Sequence, residues 1–364
     1  MNSSFGKNIK VNIWGGSHEP SIGVDIKGLP EGTRIDMDAL KAFLARRAPG
    51  SSPFATKRKE ADDPIPVLGS QEGKFLTTYG DTVSFRIDNK DMRSGDYKSL
   101  RSVPRPGHAD YTARVRYGDG LNMAGGGPFS ARMTAPLCIA GGIALQILED
   151  VDIQIGAHIY SIGGVKDQPL DPVNIPEGLA DELKKRKPLA VIDKNAGDEM
   201  AQVITNAMEN LDSIGGIVEA FATGLPAGIG GAMYDGLESA LAPILFGIPA
   251  VKGVEFGAGF GASELLGSEN NDAFCFSEGE VRTVTNNHGG ILGGITTGMP
   301  LITRVAFKPT PSISREQDSV NLETGQPEKL VIKGRHDPCV VVRAVPIVEA
   351  ALAIGILDCM MEEI

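Results

Sequence analysis

The chain has 364 residues, 41% hydrophobic and 22% charged, which excludes a disordered tail or a collagen-like repeat and suits one large domain or two. A formal net charge of −11 argues against nucleic acid as the main partner, because phosphate neutralisation supplies most of that affinity. Uninterrupted apolar runs fall well short of the roughly 18 residues that span a bilayer, and the N-terminus lacks the apolar centre of a secretory signal, so no membrane contact is expected.

Alternating apolar residues predict strands over 9–14, 24–26 and 82–87. Between the second and third, Met37, Leu40, Phe43 and Leu44 recur on one helical face, with Asp36 as N-cap. A helix over 134–149 can hold Pro136 only in its first turn. A strand over 216–222 leads through a turn to a helix near 235–246. The C-terminal helix is expected to start near Pro346, which suits a first helical position. Irregular segments fall at 49–66, 164–178, 264–288 and 309–330, and loops of that length are usually lids or binding loops. Two stretches echo each other. Gly28-Leu29-Pro30-Glu31-Gly32 and Gly224-Leu225-Pro226-Ala227-Gly228 each join a predicted strand to a helix. The similarity between about 22–47 and 214–246 suggests two similar lobes within a single 1–364 unit.

The charge is uneven. Residues 1–135 hold 20 Lys+Arg against 15 Asp+Glu, and the remainder holds 15 against 31. As a cluster, the arginines of the first third fit a small anionic ligand better than a random solvated surface. Forty-six glycines come in blocks such as Gly125-Gly126-Gly127, but none forms GxGxxG between strand and helix or a P-loop. The four cysteines, Cys138, Cys275, Cys339 and Cys359, include no CxxC pair, which fits a reducing cytoplasm.

Of five histidines, His18 follows a predicted strand in Gly15-Gly16-Ser17-His18, and His108 lies in Arg105-Pro106-Gly107-His108-Ala109-Asp110. A lone histidine in a glycine loop is more often structural than catalytic. Both nevertheless sit beside anion-binding candidates, where acids and bases are commonly mounted. No histidine pair has i, i+4 spacing, so no metal is expected. Gly125 to Arg132 leads into the 134–149 helix and offers backbone amides and a guanidinium to a phosphate or carboxylate. Arg335-His336-Asp337 spaces a cation and a carboxylate by one residue; in an extended segment the two share a face and His336 points away. Lys308-Pro309-Thr310-Pro311-Ser312 adds a cation and hydroxyls. Surface ion pairing is the competing reading of both segments.

Read in order from Gly15 to the C-terminal helix, these strings resemble chorismate synthase. The match is carried by Arg105-Pro106-Gly107-His108-Ala109-Asp110-Tyr111-Thr112, Ser130-Ala131-Arg132, Gly289-Gly290-Ile291-Leu292-Gly293-Gly294, and Lys333-Gly334-Arg335-His336-Asp337-Pro338-Cys339 running on to Arg343-Ala344-Val345-Pro346. The chain looks like a divergent member, with Pro128-Phe129 and Pro249-Ala250 where the family usually has Arg-Ser and Asn-Ala. The resemblance implies an α+β fold, a compact β-α-β sandwich with antiparallel sheets as inner layers and helices outside. It implies a lyase that converts 5-enolpyruvylshikimate 3-phosphate to chorismate and phosphate by anti-1,4-elimination, in the shikimate pathway to aromatic amino acids, with reduced FMN as cofactor.

By the same resemblance, His18 would keep the reduced flavin in its proper protonation state, His108 would protonate the departing phosphate, and Asp337 would assist removal of the ring hydrogen. Ser17, Arg47, Arg105, Arg132 and Arg335 would hold the substrate's phosphate and carboxylates. Flavin contacts would fall at Arg47, Pro128, Phe129, Ser130, Pro249, Ala250, Gly293, Lys308, Pro309, Thr310, Pro311, Ser312 and Arg335. A homotetramer is implied, and an external flavin reductase or anaerobic conditions as the source of reduced flavin. Two other readings stand beside this one. A flavin-weak relative could bind a shikimate-type phosphate without turnover. A flavin oxidoreductase is disfavoured because no nicotinamide site is visible.

Overall fold

A helix that is apolar on every side must be buried on every side. Two such helices, Thr134–Glu149 and Val341–Met360, pack against each other at the centre of the molecule. The computed structural model describes residues 2–50, 52–56, 62–90, 102–277, 279–332, 334 and 336–361. In chain order its helices are α1 (Met37–Arg47), α2 (Asp110–Tyr117), α3 (Thr134–Glu149), α4 (Leu179–Lys185), α5 (Lys194–Glu209), α6 (Leu237–Gly247), α7 (Gly267–Asn270) and α8 (Val341–Met360). The first of two five-stranded sheets runs, in spatial order, Asn2–Phe5, Lys10–Gly15, Ser21–Lys27, Thr82–Asp88 and Ile65–Leu68. The second runs Val165–Lys166, Gln154–Ile162, Gly216–Thr223, Leu301–Phe307 and Val251–Phe256. Every pairing in both is antiparallel.

The α+β class and the antiparallel sandwich agree with expectation, but the layer order does not. Helices α1, α3, α6 and α8 form the inner layer, and the two sheets enclose it. The reason is amphipathicity. In the first sheet Ile22, Val24 and Ile26 are buried while Ser21, Asp25 and Lys27 are not, so that sheet can face solvent on one side. Helix α8 buries 17 of its 20 residues and has no face to expose. It crosses α3 closely, and a Cβ on Gly141 would lie 2.2 Å from the Cβ of Ala350. Helix α4 packs on the opposite face of the second sheet, over Phe221 and Ile302. The stretch Ala131–Glu149 is, among the described residues, long and apolar enough to cross a membrane, which a search for uninterrupted apolar runs overlooks; its apolarity serves the core, where most of it is buried.

Local signals place the elements well. Asp36 caps α1 by accepting from the N–H of Asp38 (2.9 Å) and Ala39 (3.1 Å). Helix α3 begins at Thr134, with Pro136 in its first turn. Helix α8 begins at Val341 rather than near Pro346, so that proline lies inside it. Burial of the surrounding faces offsets the backbone bond the proline lacks. Two of the segments expected to be irregular contain hairpins, Phe274–Ser277 with Glu280–Thr283 and Gln317–Val320 with Pro327–Leu330. The two GLPxG turns follow Ser21–Lys27 and Gly216–Thr223, with Gly28 and Gly224 both at positive φ (91° and 81°). Each leads to an eleven-residue helix, α1 or α6, and a proline, Pro49 or Pro249, two residues beyond it.

The last turn of α8 also anchors the N-terminus. The buried Asp358 carboxylate accepts the backbone N–H groups of Lys7 (2.9 Å), Asn8 (2.7 Å) and Ile9 (2.7 Å). Asp358→Ala strands these donors and is expected to lower stability by about 2–4 kcal/mol. Urea unfolding checks this, and an unchanged midpoint would show the carboxylate to be dispensable.

Candidate active site

Function in such folds gathers where element ends converge, because loops there can present polar groups that the core cannot. An open cleft of about 280 Å³ lies at such a place. Its wall is built from the end of α1 (Arg47, Pro49), Arg105 to Ala109 ahead of α2, and Phe129 to Arg132 ahead of α3. It is completed by Pro249 and Ala250 after α6, by Lys308 and Thr310 to Ser312 after the strand Leu301–Phe307, and by His336, Asp337, Val340 and Arg343 at the start of α8. Pro49 and Pro249, which follow the two GLPxG-led helices, thus meet across one cleft.

The arginines in this wall are held by carboxylates. Asp62 bridges Arg47 and Arg132, one oxygen to each guanidinium. Burial would raise its pKa, but the two arginines hold it below the usual carboxylate range. Arg343 donates to Asp337 (2.8 Å) and to the carbonyl oxygen of Arg47 (2.9 Å). Its burial, and to a lesser degree the charge of Arg47, depress its pKa against the pull of Asp337. Asp337 also accepts the N–H of Thr56 (2.8 Å). Arg105 grips Asp110 with Nε and Nη2, both at 2.7 Å, and donates to the Ser312 hydroxyl (3.1 Å). Burial opposes ionisation of Asp110, yet Arg105 and His108 hold its pKa far below the ordinary value.

His108 Nδ1 lies 2.8 Å from Asp110 Oδ1, so a proton there is held by the carboxylate and the opposite nitrogen, Nε2, remains for chemistry. That nitrogen faces Gly126, where a Cβ would come within 3.2 Å. Gly125, Gly126 and Gly127 all have positive φ (63°, 96° and 52°), a backbone that side chains resist. The His18 ring packs on the same loop, and a Cβ at Gly125 would reach it at 2.2 Å. Ser17 donates to the carbonyl of Ala124 (3.0 Å) and its N–H to that of Gly127 (3.2 Å), stitching the His18 loop to the glycine loop. Lys308 donates to the Gly107 carbonyl (2.7 Å), and burial, helped by Lys252, lowers its pKa.

The cleft therefore gathers Arg47, Arg105, His108, Phe129, Ser130, Arg132, Pro249, Ala250, Lys308, Thr310, Pro311, Ser312 and Asp337 from the sequence-derived residues. Ser17 and His18 stand behind the glycine loop, and Pro128 faces an adjoining apolar groove. Pro309 is not part of the wall, and Gly293 sits in the turn between Ile291–Leu292 and Ile295–Thr296, away from it. Arg335 lies outside the described residues. His336 corrects an expectation. It lines the cleft beside Asp337, because 336–340 is not a strand and two-residue alternation does not govern it. Sequence reasoning missed Asp62, Thr56 and Arg343 as site residues. Arg343 stood inside the matched Arg343-Ala344-Val345-Pro346 string, whereas nothing local marks Asp62.

The other histidines serve elsewhere. His158 is buried in the second sheet between Asp167 and Glu219, at 2.9 Å from each, and Glu219 pairs with Arg304 at 2.8 Å. His288 lies 3.2 Å from Asp272. Among the described residues no three His, Cys, Asp or Glu side chains are grouped to hold a metal ion. The cleft's chemistry is thus that of a polyanion site, with several fixed guanidiniums, the imidazoles of His108 and His336 and the carboxylate of Asp337.

Comparison with known proteins bears on what such a site does. The family model for chorismate synthase matches residues 9–361. The chain is 46% identical to the chorismate synthase of Lancefieldella parvula, over 98% of this chain and 96% of that protein. It is 44% identical to that of Thermococcus gammatolerans, over 97% and 96%. A crystal structure of chorismate synthase shares the fold, with a TM-score of 0.76 at 24% identity over 98% of this chain and 93% of that one.

Proposed function

Because the chain belongs to the chorismate synthase family, we propose that it converts 5-enolpyruvylshikimate 3-phosphate to chorismate and phosphate by anti-1,4-elimination, as a carbon–oxygen lyase of the shikimate pathway. One observation carries the reading at the level of the site. Arg47, Arg105, Arg132, Arg343 and Lys308 converge on a cleft that also holds His108 and Asp337. A substrate with one phosphate and two carboxylates needs several fixed cations to be held in one orientation, and rigid guanidiniums do this better than ammonium groups.

In this reading the substrate's anionic groups are held by Ser17, Arg47, Arg105, Arg132 and Arg335. His108, with Nδ1 steadied by Asp110, offers a proton from Nε2 to the departing phosphate. Asp337, held by Arg343 and the Thr56 N–H, is assigned the removal of the ring hydrogen in this reading. Reduced FMN is the cofactor, and the donor set fits it. Phe129, Pro249, Ala250 and Pro311 offer an apolar wall to a flat ring system, while Lys308, Thr310 and Ser312 offer a cation and hydroxyls to its polar parts. Arg47 Nε, buried with no hydrogen-bond partner among the described residues, also calls for an acceptor in the cleft. When bound, the reduced flavin supplies an electron transiently and recovers it. His18, packed against Gly125, tunes protonation beside it. Reduced flavin comes from an external reductase or an anaerobic setting.

A homotetramer belongs to the same reading. It is supported by apolar side chains held in water around the hairpin Phe274–Ser277/Glu280–Thr283, where Phe260, Leu266, Phe274 and Phe276 are 67–81% exposed.

The test is an anaerobic assay with photoreduced FMN, following chorismate and phosphate together, with melting measured in parallel. FMN and substrate together are expected to raise Tm more than either alone, since both bind only the folded chain. Stabilisation without phosphate release would favour a binding protein that does not turn over. No stabilisation and no release would end the proposal.

A further inference from the structure

We propose that Asp62 is the positioning residue for the anion-binding arginines, setting the spacing and orientation of Arg47 and Arg132 without touching the substrate. The Asp62 side chain is 1% exposed and is not part of the cleft wall, and each of its oxygens is taken by one guanidinium. Both guanidiniums are themselves buried, at 2% and 5% side-chain exposure.

Both arginines are also tied on their far sides. Arg132 Nε donates to Asn89 Oδ1 (3.1 Å), and Asn89 Nδ2 donates to the carbonyls of Gly16 (3.2 Å) and Glu19 (2.8 Å), which flank Ser17 and His18. On the other side, the Arg47 carbonyl accepts from Arg343 (2.9 Å), which holds Asp337 (2.8 Å). Asp62 is therefore the middle of a buried hydrogen-bonded chain from the His18 loop to the Asp337 loop. Moving its carboxylate moves both guanidiniums at once, and misplacement of an orienting group by about 1 Å can cost about 100-fold.

The inference rests on the reading that Arg47 and Arg132 grip the substrate, and the experiment separates the two. Calorimetry with 5-enolpyruvylshikimate 3-phosphate, well below the melting transition, is run on Asp62→Asn, Asp62→Glu, Arg47→Ala, Arg132→Ala and the double variant Asp62→Asn/Arg132→Ala. Anaerobic turnover of the same variants separates KM from kcat. Asp62→Asn is expected to raise Kd and KM by about 10–100-fold, with kcat changed less. The double variant is expected to lose less than the sum of the two single losses, because part of the effect of Asp62 passes through Arg132 and the rest through Arg47. Should Asp62→Asn fail to fold, Asp62→Glu decides. It keeps the charge, shifts the carboxylate by one methylene, and is expected to weaken binding at least tenfold with a near-native Tm. Lowered Tm with unchanged Kd in the folded Asp62 variants, or full additivity in the double variant, overturns the proposal while leaving the substrate reading intact. Normal binding by both Arg47→Ala and Arg132→Ala overturns that reading, and the proposal with it.

Discussion

His108→Ala is expected to lower turnover by about 10²–10⁴-fold, the usual loss when a general acid or base is removed, with substrate affinity much less affected. The expectation comes from geometry. Asp110, itself gripped by Arg105, holds His108 Nδ1 at 2.8 Å, so the ring is oriented and only Nε2 is left to work. Removing the imidazole leaves the Arg105–Asp110 pair and the anion site in place, which is why binding survives. His18→Ala is expected in the same range, for a different reason: its ring is seated on Gly125, behind the cleft wall. The measurement is single-turnover phosphate release under anaerobic, saturating conditions. Full activity in the His108 variant would remove it from the chemistry, and the same holds separately for His18.

Asp337→Asn should likewise cost about 10²–10⁴-fold in turnover while substrate and flavin still bind, because shape and polarity are kept but the proton acceptor is lost. The Thr56 N–H and Arg343 both point at this side chain, so it is held in one orientation, and an amide oxygen can satisfy only one of them. The fingerprint differs from that of Asp62→Asn, where binding fails first. His336→Ala is the necessary comparator, because His336 shares the cleft wall. If His336→Ala proved inactive and Asp337→Asn normal, the acceptor would have to be reassigned.

What the sequence by itself determined about this protein is what depends on near neighbours. The Asp36 cap, the first-turn proline of α3 and the strands at Lys10–Gly15, Ser21–Lys27 and Thr82–Asp88 are decided within a few residues by side-chain period and backbone sterics. The linear strings around His108, Arg132 and Asp337 likewise carried the family. Tertiary structure alone decided the rest. Whether sheets or helices lie innermost depends on which element has no face to spare, a property of α8 and α3 as packed together. The direction of His336 depends on a loop outside any strand, where alternation has no force. The bridge from Asp62 to Arg47 and Arg132 spans 15 and 70 residues of chain. A buried carboxylate finds its partners through space, where desolvation makes pairing obligatory, and no spacing along the chain encodes that choice.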